Sequence, residues 1–305
     1  MDSTDLSIII VNYNAKRFLT DCLLSIYNTV KHVTYEIIVI DNNSNDSSID
    51  SIKKRFPKVK LIINKDNLGY ARANNQGIKI ARGNLILLLN PDTVVLNESI
   101  QKMVTYARKN KDVGIIGCRV VNPGNKLQWD SCGSFLTPLS FLLKESGFEK
   151  VFPNNHFFGR RLMRYWHRNS SRAIDWVSGV CMLIKKEVIK DIGMLDERYF
   201  AYMEDMDFCR QARQKKWQIY FLSNAEIFHN SSASWKQRSG EHLLTSLTSE
   251  KKYFNKYYQQ LGVVLFKIFH LYGSYLKLFI NIFINNRIKA KNHFRILQWL
   301  LTNEI

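Results

Sequence analysis

Acidic residues are scarce in this sequence of 305 residues, which contains 26 Asp and Glu against 44 Lys and Arg and has a formal net charge of +18. An excess of this size is typical of proteins that meet polyanions or anionic membranes. The five cysteines lack the paired spacing of a metal site or a disulfide framework. Residues 1–5 lack the basic and apolar regions of a signal peptide. We therefore expect a reduced, cytoplasmic protein.

A glycine-rich phosphate loop is also missing. The first apolar run, residues 6–12, continues as Tyr13-Asn14-Ala15-Lys16, without the Gly-x-Gly-x-x-Gly pattern that lets the backbone cradle a pyrophosphate. A dinucleotide-binding domain is therefore not expected. A bound diphosphate would need another source of positive charge.

Apolar runs alternate with helical patterns through the first 121 residues, which predicts an α/β domain with a mainly parallel sheet. The predicted strands are residues 6–12, 35–41, 59–63, 85–90 and 113–121, and the predicted helices include 70–81 and 99–109.

The periodicity weakens at residues 133–172, where arginines alternate with Phe and Trp, and we expect an insertion or a mobile flap there. Further elements are predicted beyond it: strands at 174–184, 217–222 and 225–229, a helix from 185 and a segment at 203–216. We expect one large domain at residues 1–240, with halves of about 1–122 and 123–240, and a helical region at 241–305.

The C-terminal region is both basic and apolar. Residues 251–305 contain nine Lys or Arg residues and one acid, Glu304. Polar residues recur there at intervals of three and four and form one stripe along an otherwise apolar helix: Lys267, His270, Ser274, Lys277 and Asn281. Such a helix lies on a membrane better than it crosses one, so we expect Lys267 and Lys277 to face anionic lipid. Alternatively, the apolar face packs on the rest of the protein or on a second subunit, as in a homodimer.

Residues 85–92, Leu-Ile-Leu-Leu-Leu-Asn-Pro-Asp, carry the strongest local signal. The run is apolar enough to be buried on both faces, and Pro91 ends it, so that Asp92 is held at the carboxyl end of a strand, where ligands of open α/β sheets lie. Asp92, preceded by Asn90, suits a hard cation such as Mg²⁺ or Mn²⁺. Taken alone, Asn-Pro-Asp is better explained as an ordinary turn.

Two more polar segments adjoin the predicted elements. Asp41 ends the second strand, where an acid can bind a nucleoside, whereas Asp46 is expected to cap the next helix. Gly69 precedes the helix at 70–81 and would let the backbone approach a ligand. The alternative is that Gly69 is a loop hinge and Asn74 a solvated helix residue.

Residues 202–208 place three acids among aromatic residues and methionines. Glu204 and Asp205 could be ordinary first-turn acids of a helix, or carboxylates in an apolar cleft where one serves as a general base. His229 ends a strand and is either structural or a metal or phosphate contact. Trp176 is either a core residue or a platform for a sugar.

Six segments, taken in order, resemble glycosyltransferase family 2: residues 10–14, 39–48, 67–77, 87–92, 176–179 and 202–208. The resemblance covers about residues 6–235. It implies a GT-A fold and an inverting transfer from a nucleotide-diphosphate sugar that depends on a divalent cation, Mg²⁺ or Mn²⁺. Residues 1–122 would then bind the donor and residues 123–240 the acceptor.

By position, the resemblance implies that Asp205 is the general base, that Glu204 supports it and that Asp41 contacts the nucleobase. Asp92 would bind the metal and the diphosphate, and His229 matches a histidine that often completes the metal site. The motifs imply donor contacts at Val11, Asn12, Tyr13, Asp41, Asn43, Asn67, Gly69, Ala71, Asn74, Asn90 and Asp92, and acceptor contacts at Trp176, Ser178 and Gly179.

Two departures from the family pattern concern the metal. Asn90 stands where many relatives have aspartate, so we expect loose metal binding until a donor diphosphate adds oxygens. Asn230-Ser231-Ser232-Ala233-Ser234 replaces the usual glycine-bearing loop after the histidine.

Within the family, the sequence looks most like bacterial rhamnosyltransferase-type enzymes. This likeness implies transfer of L-rhamnose from dTDP-rhamnose to a lipid-linked glycan in O-antigen, capsule or cell-wall polysaccharide synthesis. Such an enzyme would be peripheral on the inner face of the cytoplasmic membrane. A UDP-hexose donor for galactosyl, glucosyl or galactofuranosyl transfer is the alternative.

Two other classes of protein would also explain part of the sequence. A nucleic-acid-binding protein would explain the charge, and the arginines of residues 160–172 could serve single strands. The strand-end acids would repel phosphate unless a metal intervenes, so we expect no nucleic-acid partner. A non-catalytic nucleotide-sugar-binding module is the other class, and the pair Glu204 and Asp205 favours an enzyme instead.

Overall fold

The computed structural model describes residues 4–230 and 241–302. The chain forms two compact units. Unit 1 comprises the described residues of Met1–Gly133 and Arg168–Lys236, and unit 2 those of Ser134–His167 and Gln237–Ile305. Residues 134–167, expected in the acceptor half, thus group with the C-terminal helices.

Unit 1 is an α/β unit in which one large mixed sheet is flanked by helices. Its strands are β1 (Leu6–Asn12), β2 (Tyr35–Asp41), β3 (Lys60–Ile63), β4 (Leu85–Leu89), β5 (Thr93–Leu96), β6 (Val113–Asn122), β7 (Lys126–Leu127), β8 (Cys132–Gly133), β9 (Arg172–Ile174), β10 (Trp176–Val177), β11 (Cys181–Lys185) and β12 (Gln218–His229). Its helices are α1 (Lys16–Thr29), α2 (Ser48–Arg55), α3 (Tyr70–Ile80), α4 (Ser99–Lys109), α7 (Lys186–Ile192) and α8 (Glu204–Gln214).

The sheet has the order β3-β2-β1-β4-β11-β6-β12-β5. Strands β3, β2, β1 and β4 run parallel, β11 is antiparallel to both neighbours, and β12 runs parallel to β6. Every residue of β4 is buried, which confirms that this apolar run lies between two covered faces. The α/β prediction is confirmed, and β1, β2 and α4 have the predicted bounds.

Two predictions for the second half of unit 1 were wrong in detail. The predicted strand at 174–184 is interrupted. It covers the end of β9, all of β10 and most of β11, because the backbone turns at residues 178–180. The two predicted strands at 217–222 and 225–229 are one strand, β12, with an irregularity in its pairing with β6 between Leu222 and Glu226. A β-bulge absorbs the extra residues there without ending the strand.

Unit 2 is helical: α5 (Pro138–Ser146), α6 (Phe148–Val151), α9 (Glu241–Phe283) and α10 (Arg287–Thr302). The expectation of an irregular flap at residues 133–172 was therefore wrong for α5 and α6. Thr137 caps α5 through a reciprocal capping box with Ser140, and Pro138 follows at the first helical position. Helix α9 contains a break at Gln259, where φ is 54°.

A cluster of buried charges joins α5 to α9. The carboxylate of Glu145 lies 2.6 Å from Lys277 Nζ and 3.6 Å from His270 Nδ1. His270 Nε2 lies 3.1 Å from Glu250, which also pairs with Lys144 at 2.7 Å. Burial alone would lower the pKa of His270, but the two carboxylates raise it above its ordinary value.

The predicted orientation of the polar stripe is corrected by these contacts. His270, Ser274 and Asn281 are 5%, 1% and 8% exposed, and Lys277 binds Glu145 instead of facing lipid. Gly273 lies so close to α5 that a Cβ would be 2.7 Å from the Glu145 carbonyl oxygen. Periodicity located the stripe correctly, but it could not reveal that acids far apart in sequence would cover it.

The first prediction concerns this cluster. Removing one partner of a buried ion pair leaves the other charges uncompensated, so Glu145→Gln should lower the apparent melting temperature by roughly 5–10 °C at neutral pH. The interactions hold the pKa of Glu145 below its ordinary value, so the difference should shrink in acid as Glu145 protonates. Thermal melts of Glu187→Gln, on an exposed residue of α7, provide the control. If Glu145→Gln and Glu187→Gln melted at the same temperature, the ion pairs of Glu145 would not contribute to stability as proposed.

Candidate active site

Asp92 and His229 meet where β4 ends. Pro91 stops β4, the chain re-enters the sheet as β5, and β5 pairs with β12 so that Thr93 lies opposite His229. Asp92 Oδ1 is 3.1 Å from His229 Nε2, and both side chains are buried. The pairing of β5 with β12 therefore brings together two groups that are 137 positions apart in the numbering.

Gln128 fixes the orientation of His229. Gln128 Oε1 lies 2.7 Å from His229 Nδ1. An amide oxygen can only accept, so this contact places a proton on Nδ1 and leaves Nε2 directed at Asp92. Gln128 was not among the predicted site residues, because its place beside His229 appears only once the chain returns along β6 after the turn at 122–125.

The ends of β1 and β2 form a closed network around Asp41. Its carboxylate accepts hydrogen bonds from Asn12 Nδ2 at 2.7 Å and from the Ser44 backbone N–H at 2.8 Å. Asp41 and Asn12 are 0% exposed. The observed role of Asp41 is thus to hold the loop after β2, and its contact with a nucleobase remains a prediction.

Asp46 was predicted to cap α2, but Ser47 occupies the N-cap position and Asp46 lies one residue before it. Its carboxylate accepts the backbone N–H of Ser48, the first residue of α2, and that of Lys16, the first residue of α1. These bonds hold its pKa below the ordinary value against the effect of burial. One acid therefore joins the starts of two helices beside the carboxyl ends of β1 and β2.

Gly69 approaches the protein itself rather than open space. Its φ is 80°, and a Cβ would lie 2.3 Å from the carbonyl oxygen of Phe200. That oxygen accepts the backbone N–H of Tyr70 at 2.6 Å. Gly69 therefore fastens the start of α3 to the loop before α8, and a donor contact there remains a prediction.

Several other predicted donor residues hold the scaffold in the structure. Asn67 accepts hydrogen bonds from Asn42 and from the Gly69 backbone. Ala71 and Asn74 are buried, and Asn74 donates to the Tyr70 carbonyl, so the alternative of a solvated Asn74 is excluded. Val11, Tyr13 and Asn90 are partly exposed, and Asn43 is exposed.

Glu204 and Asp205 begin α8 after a strained turn. Tyr202 and Met203 both have φ of 68°, which is uncommon for residues with bulky side chains and is tolerated where the surroundings enforce it. Burial raises the pKa of Glu204 well above its ordinary value, and neighbouring Asp205 adds to this shift. Burial also raises the pKa of Asp205. Glu204 Oε2 is buried with no hydrogen-bond partner among the described residues.

The peptide groups of Gly179 and Val180 connect this acid pair to the end of β4. Asp205 Oδ2 accepts the Gly179 N–H at 3.0 Å, and the Gly179 carbonyl accepts the Tyr70 hydroxyl at 2.7 Å. The next carbonyl, of Val180, accepts the Asn90 N–H at 3.0 Å. The acid pair and the Asp92 site are therefore joined through a few backbone hydrogen bonds at one edge of the sheet.

The predicted acceptor residues have different surroundings. Ser178 is partly exposed, while Gly179 packs so closely on Tyr70 that a Cβ would be 2.6 Å from its hydroxyl oxygen. Trp176 is 6% exposed in β10, which favours the core alternative. Residues 231–234 of the loop after His229 lie outside the described residues.

Asp92 and His229 could form part of a metal site but not all of it. Among residues 4–230 and 241–302, no group of three or more His, Cys, Asp or Glu side chains is arranged to hold a metal ion. One carboxylate and one imidazole nitrogen are suitable donors for Mn²⁺ or Mg²⁺, but they leave most coordination positions to other oxygens. The donor set therefore fits a cation shared with a phosphorylated ligand.

Solved structures share this fold. A GalNAc-T7 structure with UDP, GalNAc and Mn²⁺ superposes with a TM-score of 0.56 at 18% identity, covering 75% of this chain and 44% of that one. A mannosyltransferase, PcManGT from Pyrobaculum calidifontis, in complex with GDP-Man and Mn²⁺ gives 0.56 at 12% identity, with 98% and 76% covered. The fold is thus of the GT-A class, as the sequence resemblance predicted.

The glycosyl transferase family 2 model matches residues 7–193. A low-salt glycan biosynthesis hexosyltransferase, Agl10 of Haloferax volcanii, is 27% identical over 74% of this chain and 67% of its own length. An N-acetylglucosaminyl-diphospho-decaprenol L-rhamnosyltransferase of Mycobacterium tuberculosis is 25% identical over 75% of both chains. The protein belongs to glycosyltransferase family 2.

The second prediction concerns the stability that the protein loses by burying the ionised carboxylate of Glu204. Because the pKa of Glu204 is raised in the folded protein, its contribution to stability falls as pH rises from the ordinary carboxyl pKa to the raised one. Glu204→Gln should therefore melt a few degrees above wild type at about pH 8, with a smaller difference at about pH 5. Differential scanning fluorimetry across this pH range measures the effect. A constant difference, or a less stable variant at about pH 8, would contradict it.

Proposed function

We propose that this protein is an inverting, metal-dependent hexosyltransferase that uses a nucleotide-diphosphate sugar. One observation supports the proposal most strongly: backbone hydrogen bonds link two groups of side chains near the carboxyl end of β4. One group is the pair Asp92 and His229, and the other is the neighbouring acids Glu204 and Asp205. The first suits a metal-bound diphosphate, and the second suits the deprotonation of an acceptor hydroxyl.

Asp92 and His229 would hold the divalent cation, Mg²⁺ or Mn²⁺, from one side. When bound, the cation would neutralise the diphosphate and stabilise the charge that develops as it leaves. The protein supplies the orientation of its two ligands, because Gln128 keeps His229 in the tautomer whose Nε2 can coordinate. Structures of the GT-A class with Mn²⁺ support this requirement for a metal.

Asp205 is the general base of the proposed reaction. It is only partly exposed, and burial raises its pKa, which makes its carboxylate more basic than that of an exposed aspartate. The Gly179 N–H fixes one carboxylate oxygen, so the side chain is oriented before substrate binds. Asp205 would take the proton of the acceptor hydroxyl as that oxygen attacks the anomeric carbon from the face opposite the diphosphate. A single displacement of this kind inverts the anomeric centre.

The proposed substrates are dTDP-rhamnose and a lipid-linked glycan of O-antigen, capsule or cell-wall polysaccharide synthesis. The relatives named as an L-rhamnosyltransferase and as an O-antigen biosynthesis protein support this choice. A UDP-hexose is the alternative donor, in line with the hexosyltransferase and glucosyltransferase relatives. A lipid-linked acceptor would place the enzyme on the cytoplasmic face of the membrane.

The third prediction tests the base. Asp205→Asn should lower kcat for sugar transfer by about 10²–10⁴-fold while leaving the donor Kd nearly unchanged, since the amide keeps the shape but cannot take a proton. The wild-type kcat/KM should fall on the acid side at a pH above the usual aspartate range, because the pKa of Asp205 is raised. Asp21→Asn, an exposed residue of α1, is the matched control.

Transfer is measured as nucleoside diphosphate release from a panel of dTDP and UDP sugars with a diphosphate-lipid acceptor analogue. If the Asp205→Asn variant kept more than a tenth of the wild-type rate, a residue other than Asp205 would be the base. A wild-type protein that binds a nucleotide sugar but releases no diphosphate with any acceptor would instead favour a non-catalytic module.

The fourth prediction concerns the metal. Calorimetry should show little Mn²⁺ binding without nucleotide and clear binding with dTDP or UDP, because the protein supplies only part of the ligand set. Gln128→Met should weaken binding of Mn²⁺ in the presence of nucleotide by about 10–100-fold, and Gln128→Glu should restore it because a carboxylate also accepts from Nδ1–H. Wild-type Mn²⁺ affinity in Gln128→Met would rule out this role for Gln128.

A further inference from the structure

The second helical segment of α9, residues 260–283, buries several of its polar side chains and exposes many of its apolar ones. His270, Ser274 and Asn281 are buried, and Lys277 binds Glu145. Between residues 261 and 284, every exposed side chain is apolar or tyrosine: Leu261, Ile268, Tyr272, Tyr275, Phe279, Ile280, Ile282, Phe283 and Ile284. A protein surface normally shows the opposite arrangement.

Five of these exposed residues form a continuous stripe. Ile268, Tyr272, Tyr275, Phe279 and Phe283 recur at intervals of three and four, so they lie on one face of the helix. Phe279 and Phe283 are 72% and 85% exposed. We call these five residues the apolar stripe. It is too large and too continuous to be explained as scattered surface residues.

Two sets of contacts hold the stripe outward. The ion pairs of Glu145 and Glu250 fix the opposite face of the helix to α5 and to the first segment of α9. Phe141 of α5 also stacks on Phe266 with ring centroids 5.6 Å apart. Rotating the helix to bury the stripe would expose the aromatic core and break the ion pairs, so the outward orientation is built into unit 2.

Basic residues follow the stripe directly. Arg287, Lys289, Lys291 and Arg295 of α10 are all exposed. Apolar side chains next to clustered cations match the boundary between the acyl chains and anionic headgroups of a bilayer. Two copies of the chain each carry a formal net charge of +18 and would repel each other, whereas an anionic bilayer would attract the chain. The charge pattern therefore favours lipid over a second copy of the chain.

We propose that the apolar stripe of α9 lies in the plane of an anionic membrane, with the cations of α10 at its headgroups. This surface is the opposite face of the helix from the one that carries Lys267 and Lys277, which was predicted to face lipid. Helix α9 is long and apolar enough to cross a bilayer by length and composition, but the fixed polar contacts along its other face favour a helix that lies at the surface. The inference deepens the membrane location proposed above and rests on it.

The test is flotation of the full chain with vesicles of phosphatidylglycerol and phosphatidylethanolamine. Wild type should float, and Phe279→Glu with Phe283→Glu should reduce the bound fraction at least tenfold. The matched control, Leu24→Glu with Ile80→Glu, places the same charges on exposed apolar residues of unit 1 and should float like wild type. Melting curves verify that each variant folds.

A second variant separates the two parts of the surface. Changing Arg287, Lys289, Lys291 and Arg295 to Gln should abolish the preference for phosphatidylglycerol over phosphatidylcholine vesicles and remove most of the salt dependence of binding. An unchanged lipid preference would overturn the role of the cations. Equal flotation of wild type and the Phe279 and Phe283 variant would overturn the role of the stripe. A third outcome would also overturn the membrane proposal. If neither protein binds vesicles, and wild type is a dimer without lipid while the Phe279 and Phe283 variant is a monomer, then a second copy of the chain covers the stripe.

Transfer to a water-soluble short-chain acceptor is measured in parallel. It should be equal in wild type and in the Phe279 and Phe283 variant, because neither residue belongs to the candidate active site. If wild type transfers sugar but does not float, the proposed membrane surface is refuted and the proposed function is not. Flotation without transfer from any donor would refute the proposed function alone.

Discussion

The short segment from Ser178 to Val180 is the constraint on which the candidate active site depends. Its Gly179 peptide donates to Asp205 and accepts from Tyr70, and its Val180 carbonyl accepts from Asn90. Three elements distant in sequence are thereby held at one edge of the sheet. A Cβ at position 179 would lie 2.6 Å from the Tyr70 hydroxyl oxygen, so any side chain there would force Tyr70 to move. If Asp205 is the proposed base, orienting its carboxylate before substrate binds would lower the free energy needed to reach the transition state.

The same region carries costs that a purely structural protein would avoid. Two neighbouring carboxylates with raised pKa values, Glu204 buried and Asp205 partly exposed, follow a turn of two residues at positive φ. Strain and desolvation of this kind lower stability and are retained where function requires them. The hydrogen bond between Phe200 and Tyr70 holds the strained loop in place from the α3 side. This combination supports the proposal that Glu204 and Asp205 are more than ordinary first-turn acids of a helix.

Sequence patterns predicted the elements of unit 1 well where one physical rule dominated. The wholly buried β4 was recognisable from its hydrophobicity, and its end was recognisable from Pro91, which lacks a backbone N–H to continue the strand. Gln128, the Tyr70 hydroxyl and the partners of Asp41 were not, since each depends on contacts between residues far apart along the chain. The polar stripe of α9 shows the same limit: its spacing was visible, but its direction was set by Glu145 and Glu250, which spacing cannot place.

The central claim is that Asp92 and His229 are half of a metal site that a nucleotide-diphosphate sugar completes. A thermal-shift screen of nucleotide sugars, each with Mn²⁺ and with a chelator, tests it most directly, because a ligand that binds only the folded state raises the melting temperature. The account predicts a rise of several degrees when Mn²⁺ and a preferred donor are present together, and little change with either alone. An equal rise in the presence of the chelator, or no rise with any donor, would contradict it.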